Sequence, residues 1–390
     1  MSIPTHYMRL FQKPAVGDQY ISQYTAMNYK HKISALGGYD SASCDIAVHS
    51  RDEGLRFLDQ FLGNRVAFYG NNPIAPFWEG FVNRMTFSFN GVQYTISLDE
   101  MSNSIITLYT PTAGGTTQTA AATATVKSAL SQSLYGVKAL ELDLGLMISG
   151  TGTTLMQNTA LAQRALPKAS IKSGGGIDGI IHIDFLGFYH TLSWAGYRDA
   201  TTGSVQLGNF VDTIIGGLVN GTTFFDNTDL TRTVANTSTI DKFAARGETT
   251  WDMLMKIREI ANGSTYYVIG ISPTDFRTGT RRFYYEQANL EIVYTTRVSD
   301  GLRIRNLQGQ LVDPWLVQPN GGIQVQDRLI GWNGIGDNPD ETWIMSVTYD
   351  ANTQRVTYAG DDDQTAEGVF NLKRFNKGRG KAFGAARRLA

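Results

Sequence analysis

Apolar and polar residues alternate with period two along much of this chain, the pattern of strands with one buried face. Ile33-Ser34-Ala35-Leu36 and Cys44-Asp45-Ile46-Ala47-Val48 flank Gly37-Gly38 and predict a strand pair around a turn. Three more strands are predicted over Arg65–Tyr69, Trp78–Phe89 and Gln93–Leu98. Asn90-Gly91 separates the last two and marks a two-residue hairpin, because a type I′ turn needs positive φ at both central positions. In Met85-Thr86-Phe87-Ser88-Phe89 the apolar residues fall on one face, which predicts a one-sided sheet rolled into a sandwich or barrel. The period becomes helical after Ser50-Arg51-Asp52-Glu53, a capping box, with Leu55, Leu58, Phe61 and Leu62 on one side and Gly63 placed as the stop. A helix over 51–62 follows.

Beyond Tyr109 the pattern breaks. Pro111 to Thr125 is almost entirely Thr, Ala, Gly and Gln, too poor in large side chains to bury a core, and reads as an exposed loop or linker. A Leu-rich run from Leu140 to Ile148, a helix near Thr154–Leu166 stopped by Pro167, and the hinge Gly174-Gly175-Gly176 come next. A second β unit opens where Ile181, Ile183 and Phe185 alternate with His182, Asp184 and Leu186. Asn209-Phe210-Val211-Asp212 and Thr249-Thr250-Trp251-Asp252 each predict a helix start, giving helices near 210–219 and 250–261. Strands return at Tyr266–Ile271, Arg281–Tyr285, Leu302–Ile304, Ile323–Val325, Trp343–Tyr349 and Arg355–Tyr358.

The chain thus reads twice as a sheet with one or two helices packed on it. The fold class is β-dominated α+β with two β-barrel or sandwich units. Residues 1–110 form the first unit, 111–176 the linker and connecting segment, 177–360 the second unit, and 361–390 an acidic turn followed by a basic C-terminal tail. Composition agrees: 390 residues with 42% hydrophobic content suit two cores better than one, and 41 glycines against 10 prolines suit short strands joined by tight turns.

Charge narrows the partners. A formal net charge of -1 does not favour nucleic acid or an anionic membrane surface as the main partner. The single cysteine, Cys44, rules out an intramolecular disulfide framework, fits a reducing cytoplasm, and reads as a small core residue. Met1–Lys13 lacks the pattern of a signal peptide, and no apolar stretch approaches the ~20 residues that span a bilayer, so a chain soluble when synthesised is expected.

Candidate chemistry is sparse. Glu79, Asp143 and Asp184 could supply the paired carboxylates of a glycosidase, but Glu79 is expected on a strand facing solvent or a neighbouring subunit. His6, His31, His49, His182 and His190 follow no zinc-ligand spacing; His182 and Asp184 share one strand face and read as a polar face of that strand rather than as a metal ligand with its neighbour or a proton relay. Asp337-Asn338-Pro339-Asp340-Glu341 and Asp361-Asp362-Asp363 lack the spacing of a calcium loop and read as solvated turns. No catalytic residue, cofactor site or metal site is assigned, and no enzyme activity is expected. The distinctive local feature is the tail from Lys373, which carries Lys373, Arg374, Phe375, Lys377, Arg379, Lys381, Phe383, Arg387 and Arg388 without any acid. It reads as an arm that docks on a neighbouring subunit, with the two Phe as anchors; nucleic-acid binding and a merely solvated tail are the alternatives.

Several segments, in order, resemble one family. Trp78-Glu79-Gly80-Phe81-Val82-Asn83, entered after a helix and the short strand 65–69, resembles the first barrel of bacteriophage tail hub proteins. Tyr135-Gly136 resembles their crossing element, Gly187-Phe188-Tyr189-His190-Thr191-Leu192-Ser193-Trp194 the opening strand of their second barrel, and Thr250-Trp251-Asp252-Met253-Leu254 its packing helix. The set spans Tyr20 to Tyr358 and is also similar to the hub part of type VI secretion spike proteins. The resemblance implies two tube-protein-like barrels per chain and a homotrimeric ring of pseudo-sixfold symmetry between tail tube and spike. Its partners would be sister copies, distal tail and tail tube proteins, the tape measure protein and a tail spike or fibre, in the baseplate at the virion tail tip after assembly in the host cytoplasm. The chain departs from the pattern in lacking a lysozyme insertion, a long spike helix and a β-helix extension, so penetration and receptor binding would fall to other subunits. A distal tail ring protein and a carbohydrate-binding tail-tip module, the latter motivated by 11% aromatic content, are the alternatives, and a cell-wall-cleaving enzyme ranks third.

Overall fold

The computed structural model describes residues 6–359 except 71–75, 114–115, 118–120, 148–149, 197–199, 219–223, 229–238, 245–247, 262–266, 276–277, 288–292, 298–303, 306–327, 333–339, 344–345 and 354. Strands β1 (His6–Phe11), β2 (Tyr20–Ser34) and β3 (Gly38–Ala47) lead into helix α1 (Arg51–Phe61), β4 (Arg65–Tyr69) and the hairpin of β5 (Trp78–Phe89) with β6 (Val92–Ser97). A separate sheet is built on β7 (Ser104–Ala113) by the short strands β8 (Thr116–Thr117), β9 (Ala121–Ala122) and β10 (Val126–Lys127). Helix α2 (Ala129–Tyr135), strand β11 (Ala139–Met147) and helix α3 (Gly150–Arg164) complete it. The chain then returns to the first sheet through β12 (Ala169–Ser173) and β13 (Ile180–Leu186).

Six of these strands close on themselves in the order β1-β4-β5-β13-β3-β2, with β2 pairing back to β1, and every pairing is antiparallel. The alternation seen in sequence explains the closure. Met8, Leu10, Cys44, Ile46, Val66, Phe68, Met85, Phe87, Ile181, Ile183 and Phe185 are all nearly or fully buried in one core. β13 supplies Ile181, Ile183 and Phe185 as expected, but it completes the first barrel between β3 and β5, although the sequence places it at the head of a second unit. Helix α1 adds Phe57 and Leu58 to this core. Its cap is as expected at Ser50, whose hydroxyl accepts from Glu53 N–H, while the Glu53 carboxylate reaches past the cap to His49 N–H at 2.8 Å. Asn90 and Gly91 both adopt positive φ, at 50° and 71°, as the type I′ turn demands.

The Thr/Ala-rich segment is not a plain loop: β7 runs on to Ala113, and β8, β9 and β10 fold back on it. Strand pairing uses backbone groups, so a segment without large side chains can still be held in a ladder. After β13, the run Phe188–Trp194 forms a 3₁₀ helix where a strand is expected. Gly187 presses so closely on Tyr39 carbonyl oxygen that a Cβ there would collide with it, and its N–H donates to Asp40 carbonyl oxygen at 2.7 Å, the bond that follows the last β13–β3 pair in register. Phe188, Thr191, Leu192 and Trp194 are then buried at helical spacing.

The following elements are β14 (Ala200–Gln206), α4 (Leu207–Gly216), β15 (Thr239–Ala244), α5 (Thr250–Ala261), β16 (Tyr267–Ile271) and β17 (Phe283–Gln287). Helix α4 starts at Leu207 and not at an Asn209 cap, with no side chain capping its first turn. At α5, Thr249 does cap, accepting from Asp252 N–H at 3.2 Å. Strands β18 (Val293–Arg297), β19 (Ile304–Arg305), β20 (Arg328–Trp332) and β21 (Asp340–Trp343) form a four-stranded sheet. The hairpin β22 (Ser346–Asp350) and β23 (Arg355–Ala359) joins the barrel sheet along β2. Among the described residues closure is seen in the first barrel. Residues of the 3₁₀ helix, α4, α5, β16 and β17 belong to the same continuous core as the barrel. The predicted strand 323–325, the acidic turn 361–363 and the tail 373–390 lie outside the described residues.

Candidate functional site

Strands of a closed barrel turn alternate residues outward, and the polar side chains of this chain collect there. Glu79, expected on an exposed face, is fully buried on β5. Its Oε1 accepts from Arg65 Nε at 3.2 Å, from Arg281 at 3.4 Å and, at short range, from the Thr274 hydroxyl, while Oε2 accepts from Thr274 N–H at 3.3 Å. Arg65 and Arg281 also share Asp18 Oδ2, at 3.3 and 3.1 Å, so two cations meet two carboxylates in a balanced network. Arg65 lies over the Phe11 ring and Arg281 over the Phe188 ring, each 4.2 Å from the centroid. Thr274 and Arg281 flank the β16–β17 turn, so Glu79 fastens that hairpin to the barrel. A second fastening joins Gly37 to it, with Gly37 N–H donating to Ile269 carbonyl oxygen at 2.7 Å.

Asp40 gathers Tyr189 hydroxyl at 2.7 Å, His190 Nε2 at 3.0 Å and Lys32 Nζ at 3.3 Å. Burial alone would raise its carboxyl, but the hydrogen bonds from His190 and Tyr189 and the charges of His190 and Lys32 hold it at about 2. Tyr189 packs in turn against Trp251 of α5, with centroids 4.8 Å apart and the rings tilted by 50°.

His182 and Asp184 do share the outer face of β13. The imidazole lies between Asp45 at 2.7 Å and Asp184 at 3.3 Å, one carboxylate on each ring nitrogen. The hydrogen bond with Asp184, opposed by burial and joined by the bond to Asp45, raises His182 to about 9. At neutral pH it is an imidazolium with no lone pair for a metal. His31 is the reverse case, packed half-buried among Tyr29, Phe77 and Tyr349, and desolvation with the nearby His6 lowers it to about 3. Asp143 stands exposed on β11, its carboxylate accepting from Gly145 N–H at 2.9 Å, so Glu79, Asp143 and Asp184 occupy three separate settings. Cys44 is buried, and burial pushes its thiol well above the ordinary value. Among the described residues, no group of three or more His, Cys, Asp or Glu is arranged to hold a metal ion. No helix there is long and apolar enough to cross a membrane.

One open feature went unseen in the sequence. Strands β5, β6 and β12 and the end of α3 enclose a groove of about 650 Å³, lined by the hydroxyls of Thr86, Thr95, Ser97 and Ser170 and by Arg84, Arg164, Lys168 and Lys172. Its carboxylates are Asp99 and Glu100, and Asp99 is taken by Arg84 at 2.6 Å. The cations stand four residues apart across Pro167, in a helix end, a turn and a strand, so no local basic run announces them. Only the pairing of β12 with β6 brings them onto one surface.

This is a β-dominated protein built on a closed six-stranded antiparallel barrel with appended sheets and few helices. No family model and no curated protein matches the chain. Among solved structures, it is similar to the 43 kDa tail protein of prophage MuSo2 from Shewanella oneidensis, at 9% identity and a TM-score of 0.41, over 92% of this chain and 97% of that one. A tail protein from Neisseria meningitidis MC58 matches at 7% identity and a TM-score of 0.39, over 88% and 92% of the two chains. A PdpA–VgrG complex structure matches at 8% identity and a TM-score of 0.28, over 88% of this chain and 52% of that one.

Proposed function

We propose that this chain is a structural subunit of a bacteriophage tail tip, a baseplate or tail hub that joins the tail tube to the spike or fibre assembly and performs no catalysis. The observation that carries the reading is the closed barrel with sheet extensions leaving it at β5 and β2. A closed barrel has no edge of its own to protect, while the extensions offer edges for neighbours to complete. The segments Trp78–Asn83 on β5 and Thr250–Leu254 on α5 support the same reading. So does the chemistry of the outer face, where Glu79 and Asp40 are bound into networks that fasten one element to another.

In this reading three copies form a ring, flanked by distal tail and tail tube proteins, the tape measure protein and a spike or fibre, and the basic tail from Lys373 docks on a neighbour. Mass measurement and symmetry analysis of purified tail tips test it, with three copies per particle as the expected outcome. Six copies would assign the chain to a distal tail ring, and its absence from particles would remove the reading. Deletion of 373–390 is expected to block tail assembly while leaving the isolated chain folded.

A further inference from the structure

A free strand edge is a template for another strand unless something blunts it. Among the described residues, β12 is paired only with β6, and β23 only with β22. The two edges belong to extensions rooted on β5 and β2, which are three strands apart in either direction round the six-stranded barrel. They therefore face opposite ways. Every side chain of β12 is exposed, Ile171 to 66% and the nearby Ile177 to 75%, so this edge carries uncovered apolar area as well as unpaired backbone groups.

Charge distinguishes the two edges. The β12 edge borders the cationic groove, where Arg164, Lys168 and Lys172 are all exposed. Two residues after the end of β23 the chain reads Asp361-Asp362-Asp363-Gln364-Thr365-Ala366-Glu367, four carboxylates in seven residues with no cation. The strand that leads into this acidic segment, β23, is carried on β2, three strands from β5 in either direction round the barrel, and so does not border the groove of its own copy.

We propose that β12 and its cationic groove receive the β23 edge and the acidic segment 361–367 of a second copy of this chain, in antiparallel register. The direction follows from the charges. Arg164 and Lys168 precede the N-terminal end of β12, and the acidic segment follows the C-terminal end of β23, so only antiparallel alignment brings them together. Antiparallel is also the sense of every other pairing in this sheet. Lysines at an edge ordinarily suppress indiscriminate pairing; opposite an acidic strand end they select it. Because the two surfaces differ, the contact is head-to-tail, and repetition gives a ring when the rotation closes. The inference deepens the subunit reading above by naming the surfaces through which copies meet.

The test is the solution mass of the full chain by light scattering, with folding followed by circular dichroism. Lys168→Glu/Lys172→Glu and, separately, Asp361→Lys/Asp362→Lys/Asp363→Lys are each expected to reduce the assembly to single copies with unchanged folding. Combining all five substitutions restores opposite charges across the contact and is expected to restore the assembly. A merely misfolded variant would not be rescued in this way. The proposal is overturned if either one-sided variant keeps the wild-type mass, if the five-fold variant stays single, or if the wild type is single at the highest attainable concentration. It is equally overturned if the groove variant loses retention on heparin or polyphosphate with its mass unaltered, which would make the groove a polyanion site. The copy number in tail particles is a separate measurement, so failure of this contact and failure of the tail-tip reading can be told apart.

Discussion

Two histidines on the barrel pull stability in opposite directions as pH changes. His31 is held at about 3 by burial and by His6, below the ordinary 6.5, so the unfolded chain takes up a proton first as the solution is acidified. Stability is therefore lost as pH falls from 6.5 toward 3, by on the order of 1 to a few kcal/mol for this half-buried ring. His182, raised to about 9 by Asp184 and Asp45, contributes stability that is full below 6.5 and lost as pH rises through 9. With the ring half exposed, solvent screening reduces that contribution to roughly 1 kcal/mol or less. Thermal midpoints measured across pH should peak near neutrality. His31→Phe should flatten the acid side down to pH 4, below which Asp40, held at about 2, takes over the loss. His182→Gln should flatten the alkaline side alone. Glu79 is the costlier residue to disturb, since removing one partner of a buried ion network leaves the others uncompensated, at about 3–5 kcal/mol. Glu79→Ala should show that loss in urea titrations, with the β16–β17 hairpin the first region to lose hydrogen-exchange protection.

At the scale of elements, close approach decides how helix α1 sits on the barrel. A Cβ at Gly54 would collide with the Phe87 ring, so the helix reaches β5 through a glycine. Gly54→Ala should lower stability by about 1–3 kcal/mol through overpacking, even though alanine is the better helix former. A smaller partner ring at the same contact, Phe87→Leu, should recover part of the loss in a double-mutant cycle. Elements of this kind were legible where local chemistry dictates the answer: Ser50 and Glu53 start α1, Asn90-Gly91 turn β5 into β6, and Ile181, Ile183 and Phe185 alternate into the core. They were illegible where a distant residue decides. Phe188–Trp194 has the aromatic content of a strand, and its 3₁₀ helix starts straight after Gly187, a residue pressed against Tyr39 nearly 150 residues away in sequence. Glu79 looked like an outward carboxylate because its partners Thr274 and Arg281 come from one turn that lies 195 and 202 residues away in sequence. The cationic groove was hidden for the same reason, since it exists only once β12 has found β6.

For the whole molecule, the question is whether the barrel and the elements after it behave as one body. The sequence suggests two units with a hinge at Gly174–Gly176, yet the strand after that hinge lies inside the barrel, bonded on both sides. Phe81 on β5 touches Phe188, Trp194 and Phe224, with centroids 5.5 to 6.1 Å apart. Met253, Leu254 and Ile257 of α5 are fully buried in the same core. Packing that continuous transmits the loss of a side chain beyond its own helix, because neighbours can only partly collapse into the space left. Leu254→Ala should cost about 2–5 kcal/mol. If the core is one cooperative unit, hydrogen exchange should show protection falling equally in α5 and in the central barrel strands β5 and β13, and circular dichroism and fluorescence should report coincident unfolding. Protection lost in α5 alone would mean that the barrel folds independently and that the later elements dock on a finished scaffold. A subunit that transmits load through its own body needs the first behaviour, since two loosely joined units would part at the hinge before the ring gave way.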